Sequence, residues 1–324
     1  MKLQQLRFLV AIAKHNLNIS EAAEHLYTSQ PGVSKQIKLL EDELGVELFH
    51  RNGKHLVSIT KAGQDVISRA EDILGQVHNI KSLTAEYRDH KQGQLAIATT
   101  HTQARYTLPD VIDQFRNRYP DVDLHLHQGT PRSISEMAVS GNVDFAIATE
   151  AIALYSDLVM MPAYHWNRVV VVPQQHPLAQ QGVLTLETLT QYPMVTYIQG
   201  LTGRSQMDQA FQQAKLTPNL VFTATDADVI KTYVRLGMGI GLIARMAYLP
   251  ALDQDLVALD VSHLFAESTT KVAFRRGTYL RRYYYDFLEL FASHLTQNRI
   301  DAAAAATNQA SVDALFADVE LAVR

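Results

Sequence analysis

Residues 18–44 of this chain read NISEAAEHLYTSQPGVSKQIKLLEDEL, and this stretch decides the fold of the N-terminal end. Apolar residues recur at helical spacing on both sides of a break at 27–29, which predicts two successive helices. Asn18 is expected to cap the first helix and Ser29 the second, because short polar side chains accept hydrogen bonds from the unpaired N–H groups of a first turn. Pro31 fits the second helix because its missing N–H would lack an intrahelical partner there.

The segments on either side add a helix and a hairpin. Upstream, a first amphipathic helix is predicted from the spacing of Leu6, Leu9, Val10, Ala13 and Leu17. The inner face of the helix after Ser29 is predicted to consist of Val33, Ile37, Leu40 and Leu44. Downstream, Asn52-Gly53 separates two strand-like runs and predicts a basic hairpin. This order of elements is typical of a winged helix-turn-helix, which we expect over residues 1–59.

The outer face of the third helix carries residue types that reach base edges and phosphates when a helix lies in the major groove. We expect DNA contacts from Ser29, Gln30, Pro31, Ser34, Lys35 and Lys38 at this helix, and from Arg51 and Lys54 in the hairpin. The alternative is a small helical domain whose polar face only meets water, and the basic hairpin counts against it.

A heptad repeat follows the hairpin. Its first position recurs at Ile59, Val66, Ile73, Ile80 and Tyr87, and its second at Ala70, Val77 and Thr84. We expect one long linker helix over residues 60–90. Because so narrow a seam cannot be buried by one helix, the pattern favours dimerisation through this helix, and the alternative is packing against the chain's own core. The polar segment 88–93 is expected to be a hinge.

The remaining two thirds of the chain alternate strand-like and helical runs, which predicts an α/β fold with a mostly parallel sheet. In such folds, ligands bind beyond the carboxyl ends of the strands. Short hydroxyl and amide side chains cluster after several predicted strands, at 99–103, 149–150, 202–205 and 223–226. Each cluster alone could be a helix cap, but their recurrence at equivalent places indicates a small-molecule site.

The bulk composition excludes several classes of protein. The 324 residues carry a formal net charge of −4 and no cysteine, which rules out disulfides, thiolate nucleophiles and cysteine-bound metals. We identify no signal peptide, membrane span, nucleotide-binding loop or acid–base pair. His125 and His127 share a strand face, but no third ligand joins them. We therefore expect a cytoplasmic protein that is not an enzyme, makes no membrane contact, and carries no cofactor or metal.

Several motifs resemble the LysR-type transcription regulators. In the N-terminal part they are AAEHL at 22–26 and SQPGVS at 29–34, followed by Leu40-Glu41, Leu48-Phe49 and Arg51. In the C-terminal part they are IATTHTQARY at 97–106, DFAIATE at 144–150, YHWNR at 164–168 and FTATDADVIKTY at 222–233. The second set resembles the branch of the family that regulates cysteine biosynthesis and sulfate assimilation. The resemblance extends from residue 1 to about residue 295.

This resemblance implies an effector domain like the periplasmic binding proteins, with two α/β subdomains and a ligand cleft between them. The effector domain would span 91–297, with subdomain I at about 91–163 and 267–297, and subdomain II at about 164–266. An alanine-rich tail, 298–324, would follow, to which we assign no function. Carried over by motif, the effector-binding residues would be Thr100, Thr102, Gln103, Thr149, Trp166 and Thr202.

The resemblance also implies the partners. These are promoter DNA, RNA polymerase, an inducer of the N-acetylserine or O-acetylserine type, and antagonists such as sulfate, thiosulfate or sulfide. The oligomer would be a homotetramer arranged as a dimer of dimers. A paralogous regulator of sulfonate use remains an alternative, as does, at a greater distance, an α/β ligand-binding protein without a regulatory role.

Overall fold

The computed structural model describes residues 1–53, 55–149, 155–201 and 203–324. Two of the residues predicted to form sites, Lys54 and Thr202, lie outside the described residues. The chain divides into two units, Met1–Tyr87 and Arg88–Arg324.

The first unit begins with three helices and a hairpin. These elements are α1 (Leu3–Lys14), α2 (Ile19–His25), α3 (Gln30–Leu44), β1 (Phe49–Asn52) and β2 (His55–Ile59). The Asn18 side chain accepts hydrogen bonds from the N–H groups of Ser20 and Glu21 at 3.1 and 3.2 Å, so the predicted cap of α2 is confirmed. The Ser29 hydroxyl accepts from the N–H of Gly32 at 3.3 Å and caps α3 as predicted.

The core of this unit corrects one residue of the predicted inner face. Val33, Ile37 and Leu40 are fully buried, but Leu44 is 38% exposed. The helix ends at Gly45, whose backbone is left-handed with φ of 70°, and the chain turns back there. Leu48 and Phe49 fill the core after this turn, and both are completely buried.

The helix α4 (Lys61–Arg88) differs between its two ends. Near its start, Ala70 is buried in the core of the first unit and Val66 packs against it, so for this part the alternative of packing within one chain is right. Further along, the heptad positions Ile73, Ile80 and Tyr87 are 39%, 62% and 86% exposed. The seam therefore separates into a segment that the chain covers itself and an apolar segment that faces solvent within the first unit.

The second unit contains two five-stranded sheets, ordered β4-β3-β5-β12-β6 and β11-β7-β10-β8-β9. The strands are β3 (Gly93–Thr99), β4 (Val122–Gln128), β5 (Phe145–Ala148), β6 (Leu158–Trp166), β7 (Arg168–Pro173), β8 (Met194–Tyr197), β9 (Leu220–Ala224), β10 (Ile240–Ala244), β11 (Leu256–Asp260) and β12 (Ser268–Arg275). The helices are α5 (His101–Tyr106), α6 (Leu108–Arg118), α7 (Pro131–Val139), α8 (Leu186–Thr190), α9 (Arg204–Gln213), α10 (Ala227–Arg235), α11 (Arg282–Phe291), α12 (Gln297–Ala305) and α13 (Gln309–Leu315).

Both sheets are mixed, which corrects the prediction of a mostly parallel sheet. β3 pairs in parallel with β4 and β5, and β8 with β9 and β10. The strands β6, β7, β11 and β12 pair antiparallel with their neighbours. These antiparallel strands carry the chain between sheets: Asn167 alone separates β6 in the first sheet from β7 in the second, and β12 returns to the first sheet. The expected two-subdomain α/β architecture is therefore confirmed.

The C-terminal tail belongs to the first of these sheets. Ile300, Ala303, Val312 and Phe316 are buried in the core that contains Trp166 and the aromatic residues of α11. After α13, the chain runs alongside β6, with the N–H of His165 donating to the carbonyl of Ala322 at 2.8 Å. Among the described helices, none has the length and apolar character needed to span a membrane.

Candidate functional site

The exposed face of α3 presents a row of polar side chains. Gln30 and Ser34 are one helical turn apart, and the Gln30 amide donates to the Ser34 hydroxyl at 3.2 Å. Lys38 lies one turn further along, and both Lys35 and Lys38 are exposed. Residues spaced by four lie on one face of a helix, so hydrogen-bonding groups and positive charge occupy the same surface.

The hairpin is tied to α3 by a buried carboxylate that the sequence analysis did not single out. Glu41 accepts from the N–H groups of Leu48 and Phe49 at 2.9 and 3.3 Å with one oxygen, and from the Arg51 guanidinium at 2.7 Å with the other. Arg51 is thus engaged within the chain, although its side chain is still 34% exposed. The ion pair fixes the hairpin relative to the end of α3.

A continuous series of hydrogen bonds joins three of the predicted effector residues. The Trp166 indole at the end of β6 donates to the Thr149 hydroxyl at 3.1 Å. The hydroxyls of Thr149 and Thr270 are 3.3 Å apart, and the Gln103 amide donates to Thr270 at the same distance. The Tyr164 hydroxyl in turn donates to the Gln103 side-chain carbonyl. Neutral hydroxyl, amide and indole groups of four separate elements therefore converge at the C-terminal end of β5.

Two members of this series, Thr270 and Tyr164, were missed by the sequence analysis. Thr270 is fully buried on β12 and lies between Gln103 and Thr149. A threonine inside a strand is ordinary, so no local pattern marks it. Tyr164 falls within the motif at 164–168, which offered a signal that was not used. Burial raises the pKa of the Tyr164 hydroxyl, which therefore stays protonated and able to donate.

Thr100 and Thr102 lie at the start of α5, beside Gln103. Thr100 occupies the cap position, but its side chain does not cap the helix. Thr102 is 2% exposed, and its hydroxyl has no hydrogen-bond partner in the described part of the chain. A buried hydroxyl without a partner costs free energy, so Thr102 is a candidate to bind a ligand or a water molecule.

Arg168 brings a positive charge next to Trp166. Its guanidinium carbon is 5.0 Å from the centre of the indole ring, and its Nη2 nitrogen donates to the carbonyl of Gly203 at 2.8 Å and to the Ser268 hydroxyl at 3.0 Å. A Cβ at residue 203 would lie 2.0 Å from that nitrogen, and φ there is 69°, so glycine is required. A cavity of about 10 Å³, roughly one water molecule, is lined by Arg168, Thr196, Tyr197, Gly203, Arg204, Met207 and Leu242.

A charged contact joins α5 of the first sheet to α10 of the second. The Tyr106 hydroxyl donates to Asp228 at 2.7 Å, and Lys231 and Arg105 lie 3.6 and 3.8 Å from the same carboxylate. His101, Asp226 and Asp228 could in principle hold a metal ion, since their ligand atoms lie within 4.8 Å of one another. The two cations beside Asp228 already compensate its charge, so the cluster is better suited to an ion-paired contact.

Comparisons with known proteins identify the family. The model of the LysR substrate binding domain matches residues 88–296, and that of the bacterial regulatory helix-turn-helix protein, lysR family, matches residues 3–64. The chain belongs to the LysR family of transcription regulators, so the resemblance seen in the motifs is confirmed.

Individual relatives match almost the full length. The HTH-type transcriptional regulator CysB of Haemophilus influenzae is 54% identical over 321 residues, which cover 99% of each chain. The regulator SsuR of Burkholderia cenocepacia is 51% identical over 300 residues, covering 93% of this chain and 97% of SsuR. The crystal structure of the cofactor-binding domain of the Cbl transcriptional regulator aligns with a TM-score of 0.63 and 44% identity, covering 65% of this chain and 92% of that one.

Proposed function

We propose that this chain regulates genes of cysteine biosynthesis and sulfate assimilation, and that a small effector bound in the second unit controls it. The observation that carries the proposal is the neutral hydrogen-bonded series from Trp166 to Gln103. Its members can exchange bonds among themselves for bonds to a ligand without exposing a buried charge. The similarity to CysB over the whole chain supports the choice of genes.

The effector site consists of Thr100, Thr102, Gln103, Thr149 and Trp166, together with Thr202 from the sequence motif. Acetylserine combines a carboxylate with an ester or amide, and hydroxyl and amide side chains can bind both parts. Sulfate, thiosulfate or sulfide would compete for the same donors. Arg168 lies beside Trp166 and favours a negatively charged ligand.

Control by the effector follows from linkage. β6, β7 and β12 connect the two sheets, and Trp166, at the end of β6, lies directly before the crossing at Asn167. A ligand shifts the arrangement of the subdomains only if it binds one arrangement more tightly than the other. A typical coupling of about 1–3 kcal/mol corresponds to a change of about 5- to 150-fold in DNA affinity.

On the DNA side, Gln30, Ser34 and Lys35 lie near base edges, while Lys38 contacts phosphates. Ser29 and Pro31 lie where the helix begins and approach the DNA backbone, as does Arg51 in the hairpin, and Lys54 is added from the basic sequence pattern. The exposed seam of Ile73, Ile80 and Tyr87 supports dimerisation through α4 and, with further contacts, a homotetramer. We infer a cytoplasmic regulator without enzymatic activity that acts with RNA polymerase.

Fluorescence anisotropy with labelled promoter fragments tests the proposal. The full chain should bind sulfate-assimilation promoters in preference to random DNA, and N-acetylserine should change that affinity. Ser135→Ala provides a control in the effector domain, because this buried hydroxyl on α7 donates to the carbonyl of Pro131 within the same helix. Equal affinity for random DNA, with and without N-acetylserine, would contradict the proposal.

A pair of α3 variants separates sequence reading from backbone binding. Gln30→Ala should reduce the preference for the promoter over random DNA, by about 1–3 kcal/mol if Gln30 makes a bidentate base contact. Lys38→Ala should weaken binding to both DNAs and lower the salt dependence by about one phosphate contact. Uniform weakening by Gln30→Ala would show that this residue does not read sequence.

Regulation of sulfonate use is the second candidate, and the 51% identity to SsuR favours it specifically. The two candidates share the site and the DNA-binding surface, so promoter choice distinguishes them. Stronger binding to sulfonate-utilisation promoters than to sulfate-assimilation promoters, measured in the same assay, would favour the second.

A further inference from the structure

The end of the C-terminal tail lies against the outer strand of the first sheet. β6 is an edge strand, and Val323 forms a parallel bridge with His165 on it. The N–H of His165 donates to the carbonyl of Ala322 at 2.8 Å, and the N–H of Arg324 donates to the carbonyl of His165 at 2.9 Å. This segment lies beyond residue 296, where the match to the family's effector-domain model ends.

Arg324 is held in place by three groups. Its guanidinium donates to the carbonyl of Phe291 at 3.0 Å. Its central carbon is 4.6 Å from the centre of the Tyr164 ring and 5.8 Å from that of Phe291. A guanidinium at these distances is attracted by the faces of the rings, and a planar cation suits this contact better than an ammonium.

Tyr164 connects this contact to the effector site. Its ring is 1% exposed, and its hydroxyl donates to the side-chain carbonyl of Gln103 and lies 3.3 Å from the Thr107 hydroxyl. Because the tyrosine donates, the carbonyl end of the Gln103 amide faces it, and the NH₂ end faces Thr270. The tyrosine thus fixes which end of the amide is presented to the neutral series.

The orientation of this amide matters for an anionic ligand, since the NH₂ end donates hydrogen bonds and the carbonyl end repels negative charge. We propose that Arg324 is a positioning residue of the effector site, because it holds Tyr164 where its hydroxyl orients the Gln103 amide. This inference rests on the proposed function. It assigns the tail beyond the family's effector domain a role in setting effector affinity.

A calorimetric titration of the full chain with N-acetylserine tests the inference. Arg324→Ala should weaken binding by about three- to fivefold, the scale of a partly desolvated cation–π contact. Arg324→Lys should give a smaller loss, since the charge remains and the planar contact does not. Arg299→Ala is the matched control, because this tail arginine also donates to a backbone carbonyl, that of His294 at 3.2 Å, but makes no contact with Tyr164 within the described residues. The affinity of this variant should be that of the wild type.

A double-mutant cycle shows whether Arg324 acts through the tyrosine hydroxyl. Tyr164→Phe should weaken binding by itself, and adding Arg324→Ala to it should cause little further loss. A tail that merely stabilises the domain would give independent, additive losses. Additive losses would overturn the inference, as would wild-type affinity in Arg324→Ala.

Amide hydrogen exchange without ligand keeps this test separate from the identity of the effector. Arg324→Ala should accelerate exchange of the backbone amides of residues 103–107, the segment that begins with Gln103. Arg299→Ala should not accelerate it. If the wild type fails to bind N-acetylserine, the proposed effector is wrong, but accelerated exchange in Arg324→Ala still supports the coupling. Unchanged exchange over 103–107 would overturn it.

Discussion

Two buried polar networks in the second unit are built from opposite materials. In the subdomain of the second sheet, Asp253 accepts from Lys231 at 2.9 Å, from Arg235 at 2.8 Å and from the N–H of Leu249 at 2.9 Å. In the effector site, the corresponding bonds join uncharged groups, and those that connect Trp166, Thr149, Thr270 and Gln103 are longer, between 3.1 and 3.3 Å. One network consists of charges and the other of hydroxyls and amides.

The difference indicates where the domain is rigid and where it can adapt. Charge-assisted hydrogen bonds are shorter and about twice as strong as neutral ones. Opening the Asp253 network would leave a charge buried, whereas opening the neutral series exposes groups that a ligand can satisfy. We therefore interpret the charged network as a lock on α10 and the neutral series as the exchangeable part.

Asp253→Asn should produce the largest effect. The substitution replaces the buried carboxylate 2.9 Å from Lys231 with a neutral amide, and leaves Asp228, 3.6 Å away and 43% exposed, as the remaining carboxylate near Lys231. Breaking a buried ion pair in this way costs about 3–5 kcal/mol. Urea unfolding of the full chain measures this loss of stability. The fluorescence of Trp166, the only tryptophan of the sequence, reports the unfolding.

Asp255→Asn is the matched control, because Asp255 also binds Arg235, at 2.7 Å, but its side chain is 58% exposed. An exposed pair contributes about 0–1 kcal/mol, so the control should unfold close to the wild type. Equal losses in the two variants would contradict the description of the Asp253 network as a buried lock.

Acid should weaken the charged network next. Burial alone would raise the pKa of the Asp253 carboxyl, but hydrogen bonds from the N–H of Leu249, from Lys231 and from Arg235 outweigh it and leave that pKa below its ordinary value. A carboxyl with a lowered folded-state pKa contributes stability above its unfolded pKa of about 3.9, and loses it as pH falls through the folded value. Between pH 6 and pH 3, the wild type should lose more stability than Asp253→Asn, and parallel losses would contradict the assignment.

Thr270→Val should produce a smaller loss of stability and a larger one of effector affinity. Without this hydroxyl, the Gln103 amide and Thr149 lose their shared partner, at a cost of about 1–3 kcal/mol. If the series holds the effector, binding of N-acetylserine should weaken by about tenfold, or about 1.4 kcal/mol.

Thr99→Val is the control, because Thr99 is equally buried but donates to the carbonyl of Ile147. This variant should lose stability and keep its affinity for N-acetylserine. The same affinity loss in both variants would remove Thr270 from the site.

The sequence predicted the elements whose signals are local. The caps Asn18 and Ser29, the turn at Asn52-Gly53 and the buried face of α3 each depend on residues a few positions apart. The prediction that Leu44 lies on the buried face of α3 was wrong. Helical spacing does not show that the chain turns at Gly45 and fills the core with Leu48 and Phe49 instead. The mostly parallel sheet was wrong because strand patterns do not record the direction in which β6 and β12 pair.

The effector site shows more clearly what the sequence alone could not predict. Gln103, Thr149 and Trp166 lie in motifs that could be carried over from the family, and the structure joins them by hydrogen bonds. Thr270, which joins Gln103 to Thr149, is separated from Gln103 by 167 positions. Arg324 reaches Tyr164 only because the tail runs along β6, and no local pattern in the sequence marks the pairing of 322–324 with that strand.

Tyr106→Phe should cost the least stability, because the carboxylate that accepts the Tyr106 hydrogen bond, that of Asp228, is partly exposed to solvent. Burial, followed by the bond to Asp228, raises the pKa of the Tyr106 hydroxyl, so it remains a donor at all ordinary pH values. Asp228 keeps Lys231 and Arg105 nearby and is 43% exposed, so losing the bond should cost about 1 kcal/mol of stability.

Tyr248→Phe is the control. It removes a hydroxyl bonded to the carbonyl of Leu256 within one subdomain and should cost about as much stability. Of these two variants, only Tyr106→Phe should also change N-acetylserine affinity, by about fivefold at most, because the Tyr106 hydroxyl bonds from α5 to α10 and the Tyr248 hydroxyl does not. A loss of stability as large as that of Asp253→Asn would instead make this contact a second lock, and the two subdomains could not move there when the effector binds.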